Sequence, residues 1–270
     1  MTRPYNPLDS KLLFSQPKWL NAGSAWNEHV PFAMLLTEMQ RPRSIVELGT
    51  QLGVSYFAFC QAVAEIETET RCFAVDTWAG DPHAGYYANE IYERVEKHHK
   101  QYEHFSRLLR MTFDEALPII PDHSVDLLHI DGFHTYEAAK RDYDTWLPKM
   151  SERGVVLFHD TAVFDQGFGV HKLWAELRPC FPHFHFEHGF GLGVLAVGKE
   201  QPEAVTTFLR TANSTDSTTN QFFSALGRLL KAELHCLELS AKLTYLKQSR
   251  DYQWGSKLLT TLRKFKRLFQ

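Results

Sequence analysis

The stretch Ser-Ile-Val-Glu-Leu-Gly-Thr-Gln-Leu-Gly-Val-Ser, residues 44–55, decides the fold. An apolar run meets Glu47 and then two glycines, which is the pattern of a strand that turns into a helix. Gly49 lets the backbone bend and approach a ligand without a Cβ, and Gly53 opens a helix whose first amides face a crevice. Ser55 follows where a dinucleotide fingerprint has its third glycine, and Glu47 favours a cationic ligand over phosphates.

A second acidic strand end supports this interpretation. The run Arg-Cys-Phe-Ala-Val-Asp, residues 71–76, ends in an acid a little more than about 20 residues beyond the glycines, where a doubly wound fold holds a ribose diol. We therefore expect the carboxylate of Asp76 to accept hydrogen bonds from two ribose hydroxyls.

Five segments together resemble a known enzyme family. VELGTQLGVS and FAVDTWAGD are similar to the class I S-adenosylmethionine-dependent methyltransferases, whose first strand ends in E-x-G-x-x-x-G and whose second ends in an acid. SVDLLHIDGFHTYEAAKRDYDTWLPKM, GVVLFHDTAVFDQGFGVHKLW and GFGLGVLAVG resemble one subgroup, the small bacterial methyltransferases of the macrocin O-methyltransferase and cephalosporin-hydroxylase type. The resemblance spans about residues 43–198. It implies S-adenosylmethionine as the cofactor and an acceptor from glycan or natural-product pathways.

Alternating strand and helix patterns predict the fold class. It is α/β, with a Rossmann-like, doubly wound, mostly parallel sheet of seven strands. Only three residues separate the last two strands, which predicts a hairpin and an antiparallel last strand. The predicted strands are 44–48, 72–76, 106–111, 125–131, 155–159, 183–187 and 191–197, and the predicted helices are 54–64, 113–120, 136–146 and 170–178.

The length of 270 residues and the apolar content of 44% predict one large core with appendages. We expect an N-terminal cap segment at 1–40 and a catalytic domain at 41–200. An insertion at 77–105, with a helix over 88–100, has the composition of a lid. The remainder, 201–270, is expected to hold a linker at 211–220 and then a helical C-terminal extension.

Two features of the C-terminal extension point to partners. Leucines recur at three- and four-residue steps and predict either a homo-oligomer held by paired helices or packing back onto the core: Leu226, Leu229, Leu230, Leu234, Leu237, Leu239 and Leu243. The basic end KLLTTLRKFKRLFQ, residues 257–270, is compatible with peripheral contact with an anionic membrane or with a solvated basic face.

Bulk charge and cysteine usage exclude other classes. The net charge of −3 gives no general reason to bind nucleic acid. Four scattered cysteines are typical of reduced thiols, and no apolar run approaches the length of a membrane span. We therefore expect a cytoplasmic protein, free or at the inner face of the membrane.

The predicted catalytic cluster lies at the ends of the fourth and fifth strands. Asp131, His159 and Asp160 converge there and offer oxygen and imidazole ligands to a divalent cation, which in the resembled subgroup is magnesium. The subgroup usually has an acidic pair where this chain has His159-Asp160, which favours a softer metal or none. Two alternatives stay open: His159 only braces Asp131, or Asp160 only shapes the turn.

His134 is the predicted general base, with Asp131 beside it. The macrocin-like relatives have an acid at the position of Phe133, so here the hydroxyl proton is expected to leave through an imidazole that is neutral near pH 7. The alternative is that His134 only precedes a helix that Thr135 caps.

The cofactor is expected to lie along three strand ends. Glu47, Gly49, Gly53 and Ser55 surround its methionine part, and Asp76 its ribose. Thr112 and Phe113 border the adenine, with Asp131 close by, although Phe113 is equally consistent with a core contact. Four other histidines share no chelating spacing and are assigned to structure: His171, His183, His185 and His188.

Three functions remain open at this stage. The first is S-adenosylmethionine-dependent O-methylation of a sugar or natural-product hydroxyl, with assistance from a divalent cation. The second is N-methylation with the same cofactor and no metal. The third is a non-catalytic, cofactor-binding scaffold subunit.

Overall fold

The computed structural model describes residues 6–81, 85–86, 88–165, 167–214 and 216–249, with single residues at 252, 254, 257 and 259. Seven strands form one sheet in the order β3-β2-β1-β4-β5-β7-β6. They are β1 (Ser44–Leu48), β2 (Arg71–Asp76), β3 (Ser106–Arg110), β4 (Val125–Ile130), β5 (Met150–His159), β6 (His183–Phe186) and β7 (Leu192–Ala196).

Strand direction confirms the predicted topology. Strands β1 to β5 pair in parallel, whereas β7 is antiparallel to both β5 and β6. Strand β4 is buried along its whole length and reads Val-Asp-Leu-Leu-His-Ile, the near-continuous apolar run that a central parallel strand requires. The sheet is therefore the Rossmann-like doubly wound sheet that the sequence predicts.

The described part of the chain has eight α-helices: α1 (Val30–Gln40), α2 (Val54–Ile66), α3 (Asn89–His99), α4 (Phe113–Ala116), α5 (Tyr136–Trp146), α6 (Val170–Leu177), α7 (Glu203–Ser214) and α8 (Asp216–Gln248). Helices α1, α2 and α7 and the start of α8 build one buried core with one face of the sheet. Helices α5 and α6 build a second core on the other face. The N-terminal segment thus contributes a fully packed helix, α1, in addition to any role as a cap.

The turn after β1 depends on two glycines. Gly49 has φ +87°, and a Cβ there would lie 2.0 Å from the carbonyl oxygen of Asp131. Gly53 has φ +75°, is the N-cap residue of α2, and donates its amide to the carbonyl of Thr50 at 2.7 Å. The ends of β1 and β4 can therefore approach closely only because residue 49 has no side chain.

The predicted lid is only partly described. Its helix, α3, agrees with the expected 88–100 within a residue at each end. Its inner face packs Tyr92 against Trp78 and His98 against Trp19 and Phe57. A lid function stays a prediction.

The predicted linker at 211–220 is wrong. Residues 211–214 complete α7, and residues 216–220 begin α8. Asn213 donates to the carbonyl of His183 at 2.7 Å, and Asn220 donates to that of His185 at 3.1 Å. The polar composition that resembles a linker thus supplies hydrogen bonds to the free edge of β6.

The C-terminal end gives two further findings. None of the described helices combines the length and the apolar character that crossing a membrane requires. Of the basic segment 257–270, only residues 257 and 259 are described, so the predicted membrane contact lies almost wholly outside the described residues.

We expect Gly49→Ala to lower the free energy of unfolding by about 2–4 kcal/mol, because the new Cβ meets both a left-handed backbone and the Asp131 carbonyl. Chemical denaturation followed by circular dichroism measures this. Gly23→Ala is the matched control, since its Cβ meets nothing closer than 3.4 Å, and we expect a change within about 0.5 kcal/mol. Equal losses in the two variants would contradict the close approach.

Candidate active site

A cavity of about 670 Å³ lies at the carboxyl ends of β1, β2, β4 and β5. This is where the strand order reverses, the usual ligand crevice of an open α/β sheet. It brings together every residue of the predicted site except Glu47: Gly49, Gly53, Ser55, Asp76, Thr112, Phe113, Asp131, His134, His159 and Asp160.

Asp76 anchors the glycine turn as well as facing the cavity. Its Oδ2 accepts the backbone amides of Thr50 and Gln51, each at 2.8 Å, and its Oδ1 accepts that of Trp78 at 2.6 Å. Gln51 is held at φ +46°, a conformation that costs a non-glycine residue energy. The carboxylate thus fixes the shape of the turn while one side of it stays open to the cavity.

Thr112 and Phe113 border the opposite wall. Thr112 caps α4 in a reciprocal capping box with Glu115. The ring of Phe113 reaches Gly132, where a Cβ would lie 2.7 Å from it. Phe113 therefore serves both as a cavity wall and as the core contact that its sequence position left open.

Glu47 lies one layer below the cavity instead of on its wall. Its side chain is fully buried, and Oε2 bonds to Nδ1 of His129 at 2.8 Å. Burial raises the pKa of Glu47, and the bond to His129 opposes that shift. This geometry therefore does not support the predicted direct contact between Glu47 and the methionine part of the cofactor. Ser55 is buried at the cavity wall and stays a candidate for contact with the methionine part of the cofactor.

Asp131, His134 and Asp160 form a compact cluster on the cavity floor, with their ligand atoms all within 4.8 Å of one another. Nε2 of His134 lies 2.9 Å from Oδ2 of Asp160 and 3.6 Å from Oδ1 of Asp131. Phe168 stacks on the His134 ring at 4.6 Å. The backbone of Asp160 has φ +60°, a left-handed conformation that Asp adopts in turns more readily than most residues, so Asp160 both shapes the turn after β5 and faces the cluster.

His159 takes a different place from the one predicted. Its Nε2 lies 3.0 Å from the carbonyl of Gly189, which makes that nitrogen a donor. Its Nδ1 lies 3.3 Å from Asp131 and 3.4 Å from Asp160. The geometry thus favours His134 over His159 as the imidazole of a cation site and agrees with the alternative that His159 braces Asp131.

The protonation expected for His134 is also wrong for this geometry. Burial by itself lowers the pKa of His134, but ion pairs with Asp131 and Asp160 outweigh it and raise that pKa to about 9. The imidazole is therefore cationic near pH 7 when only these partners surround it. Thr135 caps helix α5, since its hydroxyl accepts the amide of Ala138 at 3.3 Å, as the alternative for His134 also expects.

A layer of buried aromatic and histidine side chains supports the cluster from the N-terminal segment. Trp26 packs against His129 at 4.8 Å and His159 at 5.8 Å, and it also lines the cavity. Nε2 of His29 lies 3.1 Å from the Gly189 carbonyl that His159 also contacts. Sequence reasoning missed Trp26 and His29 because they precede the motifs and follow no pattern of their own.

The four histidines assigned to structure all lie outside the cavity lining. His185 bonds to Thr161 at 2.9 Å, and His188 packs against His29. Among the described residues, they join no metal-binding group.

Parts of the chain are similar to known proteins. Residues 46–161 match the family model described as a methyltransferase domain. Cofactor-bound Rv0187 from MTB has a similar fold, with a TM-score of 0.52 at 14% identity, covering 74% of this chain and 100% of that one. The O-methyltransferase TomG from Streptomyces achromogenes, solved in complex with SAM, gives a TM-score of 0.47 at 16% identity over 70% of this chain and 90% of its own.

An uncharacterized protein, y4gI of Sinorhizobium fredii, is 55% identical over 202 residues. That alignment covers 75% of this chain but only 22% of the relative, so the chain spans about a fifth of that protein's length. Residues 46–161 are thus similar to a methyltransferase domain, and the sheet that contains them has the Rossmann-like order described above.

We expect His134 to titrate near pH 9 in chelator-treated protein, because Asp131 and Asp160 stabilise its cation. NMR of ¹³C-labelled histidine, with His134→Gln to assign the resonance, measures the midpoint. The raised pKa contributes stability below pH 6.5, and this contribution is lost as the pH rises through about 9. A midpoint at or below 6.5 would contradict the pairing.

Proposed function

We propose that this protein is an S-adenosylmethionine-dependent O-methyltransferase that acts on a hydroxyl of a sugar, glycan or natural product. The observation that carries the proposal is the convergence of Asp131, His134 and Asp160 on the floor of the same cavity that the glycine turn borders. A scaffold that only binds the cofactor has no chemical use for two carboxylates and an imidazole at this distance.

The cavity wall offers polar atoms that suit the cofactor. The hydroxyl of Thr50 and Nε1 of Trp26 are buried there, and neither has a hydrogen-bond partner among the described residues. Together with Asp76 and the turn amides, they can bind a nucleoside and an amino acid group. When bound, S-adenosylmethionine supplies an electrophilic methyl group on a cationic sulfonium, which an acidic floor accommodates.

The cluster can orient and deprotonate the acceptor. The carboxylates of Asp131 and Asp160 are acceptors for an incoming hydroxyl, and they fix its oxygen toward the glycine turn. His134 already donates to Asp160, so it takes up the hydroxyl proton only after it has lost its own. His134 and Asp131 are therefore proposed as the residues that act on the acceptor.

The same side chains fit a divalent cation such as magnesium. Asp131 and Asp160 carry two negative charges, which two protonated histidines, His134 and His159, now balance. One divalent cation bound by Asp131, Asp160 and an imidazole replaces those two protons without changing the net charge. A bound cation lowers the pKa of the acceptor hydroxyl.

Aromatic and acidic side chains near the cluster suit a sugar-like acceptor. Phe168, Phe190 and Asp165 line the cavity beyond His134. Rings offer an apolar surface, and a carboxylate accepts from hydroxyls, the combination that a polyol with a hydrophobic face requires. Transfer of a labelled methyl group to cell-wall or lipopolysaccharide extracts, followed by mass spectrometry, identifies the product and tests the proposed function.

We also place the protein in the cytoplasm. Cys60 and Cys72 are buried neighbours and remain free thiols. Reduced cysteines within reach of each other are typical of a reducing compartment.

We expect Asp76→Ala to weaken S-adenosylmethionine binding by about 1–3 kcal/mol, because the ribose loses its acceptor and the turn loses its anchor. Isothermal titration calorimetry measures the affinity, and thermal unfolding checks the fold. Asp144→Ala, which removes the same carboxylate from an exposed helix surface outside the cavity lining, is the control. Unchanged affinity in Asp76→Ala would remove the ribose assignment.

We expect His134→Ala to lower kcat by about 10²–10⁴-fold and to leave cofactor affinity within a factor of a few. Turnover by the wild-type enzyme should fall with a chelator and return with added Mg²⁺, and Asp160→Asn should abolish this rescue. His104→Ala, at an exposed position outside the cavity, is the control. Near-normal kcat in folded His134→Ala would return His134 to a structural role, and full activity after exhaustive chelation would favour the metal-free route.

A further inference from the structure

Helix α8 packs on the body of the protein only along its first half. Phe223 is buried, Gly227 lies against Glu28, and Lys231 forms an ion pair with Glu28 at 2.6 Å. From residue 232 to residue 248 no side chain is buried. The helix has 33 residues and is thus about 50 Å long, so roughly half of it projects beyond the body.

An apolar stripe, here called the outer stripe, runs from the last docked turn of α8 into the projecting half, and none of the described residues outside α8 buries it. It consists of Leu229, Ala232, Cys236, Leu239, Leu243 and Leu246. Its steps of three, four, three, four and three residues follow the a and d positions of a heptad repeat. All six side chains are exposed, and the four leucines are 50–56% exposed.

The outer stripe faces away from the protein's own body. At about 100° per residue, it lies on the side of α8 opposite Phe223, Gly227 and Lys231. The body therefore cannot cover it without unwinding the docked half of the helix. A second helix can approach from the outside without a collision between two bodies.

We propose that the outer stripe pairs with the outer stripe of a second copy of this chain, in an antiparallel two-helix coiled coil. A heptad stripe is self-complementary, as a two-fold interface requires.

The flanking charges favour this occupant and this direction. Glu233 and Lys247 occupy equivalent positions on one flank of the outer stripe, 14 residues apart and symmetric about Ser240. Antiparallel pairing about Ser240 sets each Glu233 beside Lys247 of the second copy, which gives two attractive pairs. A parallel pair instead sets Lys242 beside Lys247 on both sides, and these two repulsive pairs cancel its two attractive Arg228–Glu233 pairs. Antiparallel pairing has one repulsive contact, between the two Lys242 side chains, so it keeps a net attraction.

The size of the stripe predicts a reversible dimer. Pairing about Ser240 overlaps the two outer stripes from Cys236 to Leu246, about two heptads on each helix, and these bury less than the roughly 1,200 Å² of a standard stable interface. We therefore expect a dissociation constant in the micromolar range and a mass that depends on concentration.

Sedimentation of the full chain between about 1 and 100 µM tests the proposal, with the 31.2 kDa monomer as the reference. We expect the wild-type chain to approach twice that mass and the double variant Leu239→Lys/Leu243→Lys to stay monomeric. Leu237→Lys/Tyr245→Lys is the matched control, because these residues are 65% and 76% exposed on the same helix but off the stripe, and it should still dimerise. A monomeric wild type, a higher oligomer, or equal dissociation of the control would overturn the proposal.

A charge exchange tests the direction without relying on the folding of the leucine variants. Glu233→Lys should raise the dissociation constant about 10-fold, and adding Lys247→Glu should return it to within about threefold of wild type. Failure of the second change to rescue the first would overturn the antiparallel pairing. Far-UV circular dichroism confirms that each variant keeps its helix content.

Discussion

The contact between Gly49 and the backbone of Asp131 is the constraint on which the site depends. A Cβ at residue 49 would lie 2.0 Å from the Asp131 carbonyl, so the ends of β1 and β4 come together only with glycine there. This approach puts the turn proposed to hold the cofactor and the acidic cluster in one cavity. Asp76 completes the arrangement from β2, because it accepts two amides of the same turn. Three neighbouring strand ends thus determine one ligand site.

Charge balance decides what the cluster can do. The half-buried Asp131 and the buried Asp160 face two imidazoles in a small volume, and isolated charges would be costly there. Protons on His134 and His159 neutralise them, which is why the pKa values of both histidines are raised. A cation and a hydroxyl ligand compete for the same oxygens. The proposed cation, the protons and the proposed acceptor would therefore be linked at a single set of side chains.

The support of this cluster comes from outside the matched domain segment. Trp26 and His29 precede residue 46, yet Trp26 packs against His129 and His159, and His29 shares the Gly189 carbonyl with His159. The N-terminal segment is therefore continuous with the site instead of a separate cover. At the other end, α8 leaves the body, so the same chain combines a buried site with an exposed apolar helix face.

The sequence by itself determined the sheet, the turn and the acids at the strand ends. Several features can be recognised from neighbouring residues alone, without knowledge of the tertiary structure. They are apolar runs of strand length, glycines at a turn, and acids at the ends of β2, β4 and β5. Predicted strand ends agree with the structure within about two residues, except that β5 begins five residues earlier, at Met150. The antiparallel last strand followed from a loop too short for a crossover.

Only the tertiary structure decided which partner each polar side chain meets. The sequence predicts Glu47 as a cofactor ligand, but its side chain forms a hydrogen bond with His129, 82 residues away in the chain. His134 rather than His159 completes the cluster, and its pKa depends on two carboxylates from different strand ends. The polar stretch at 211–220 forms helix because its asparagines find the edge of β6. Residue type fixes what a side chain can bind, whereas long-range packing fixes what lies within reach.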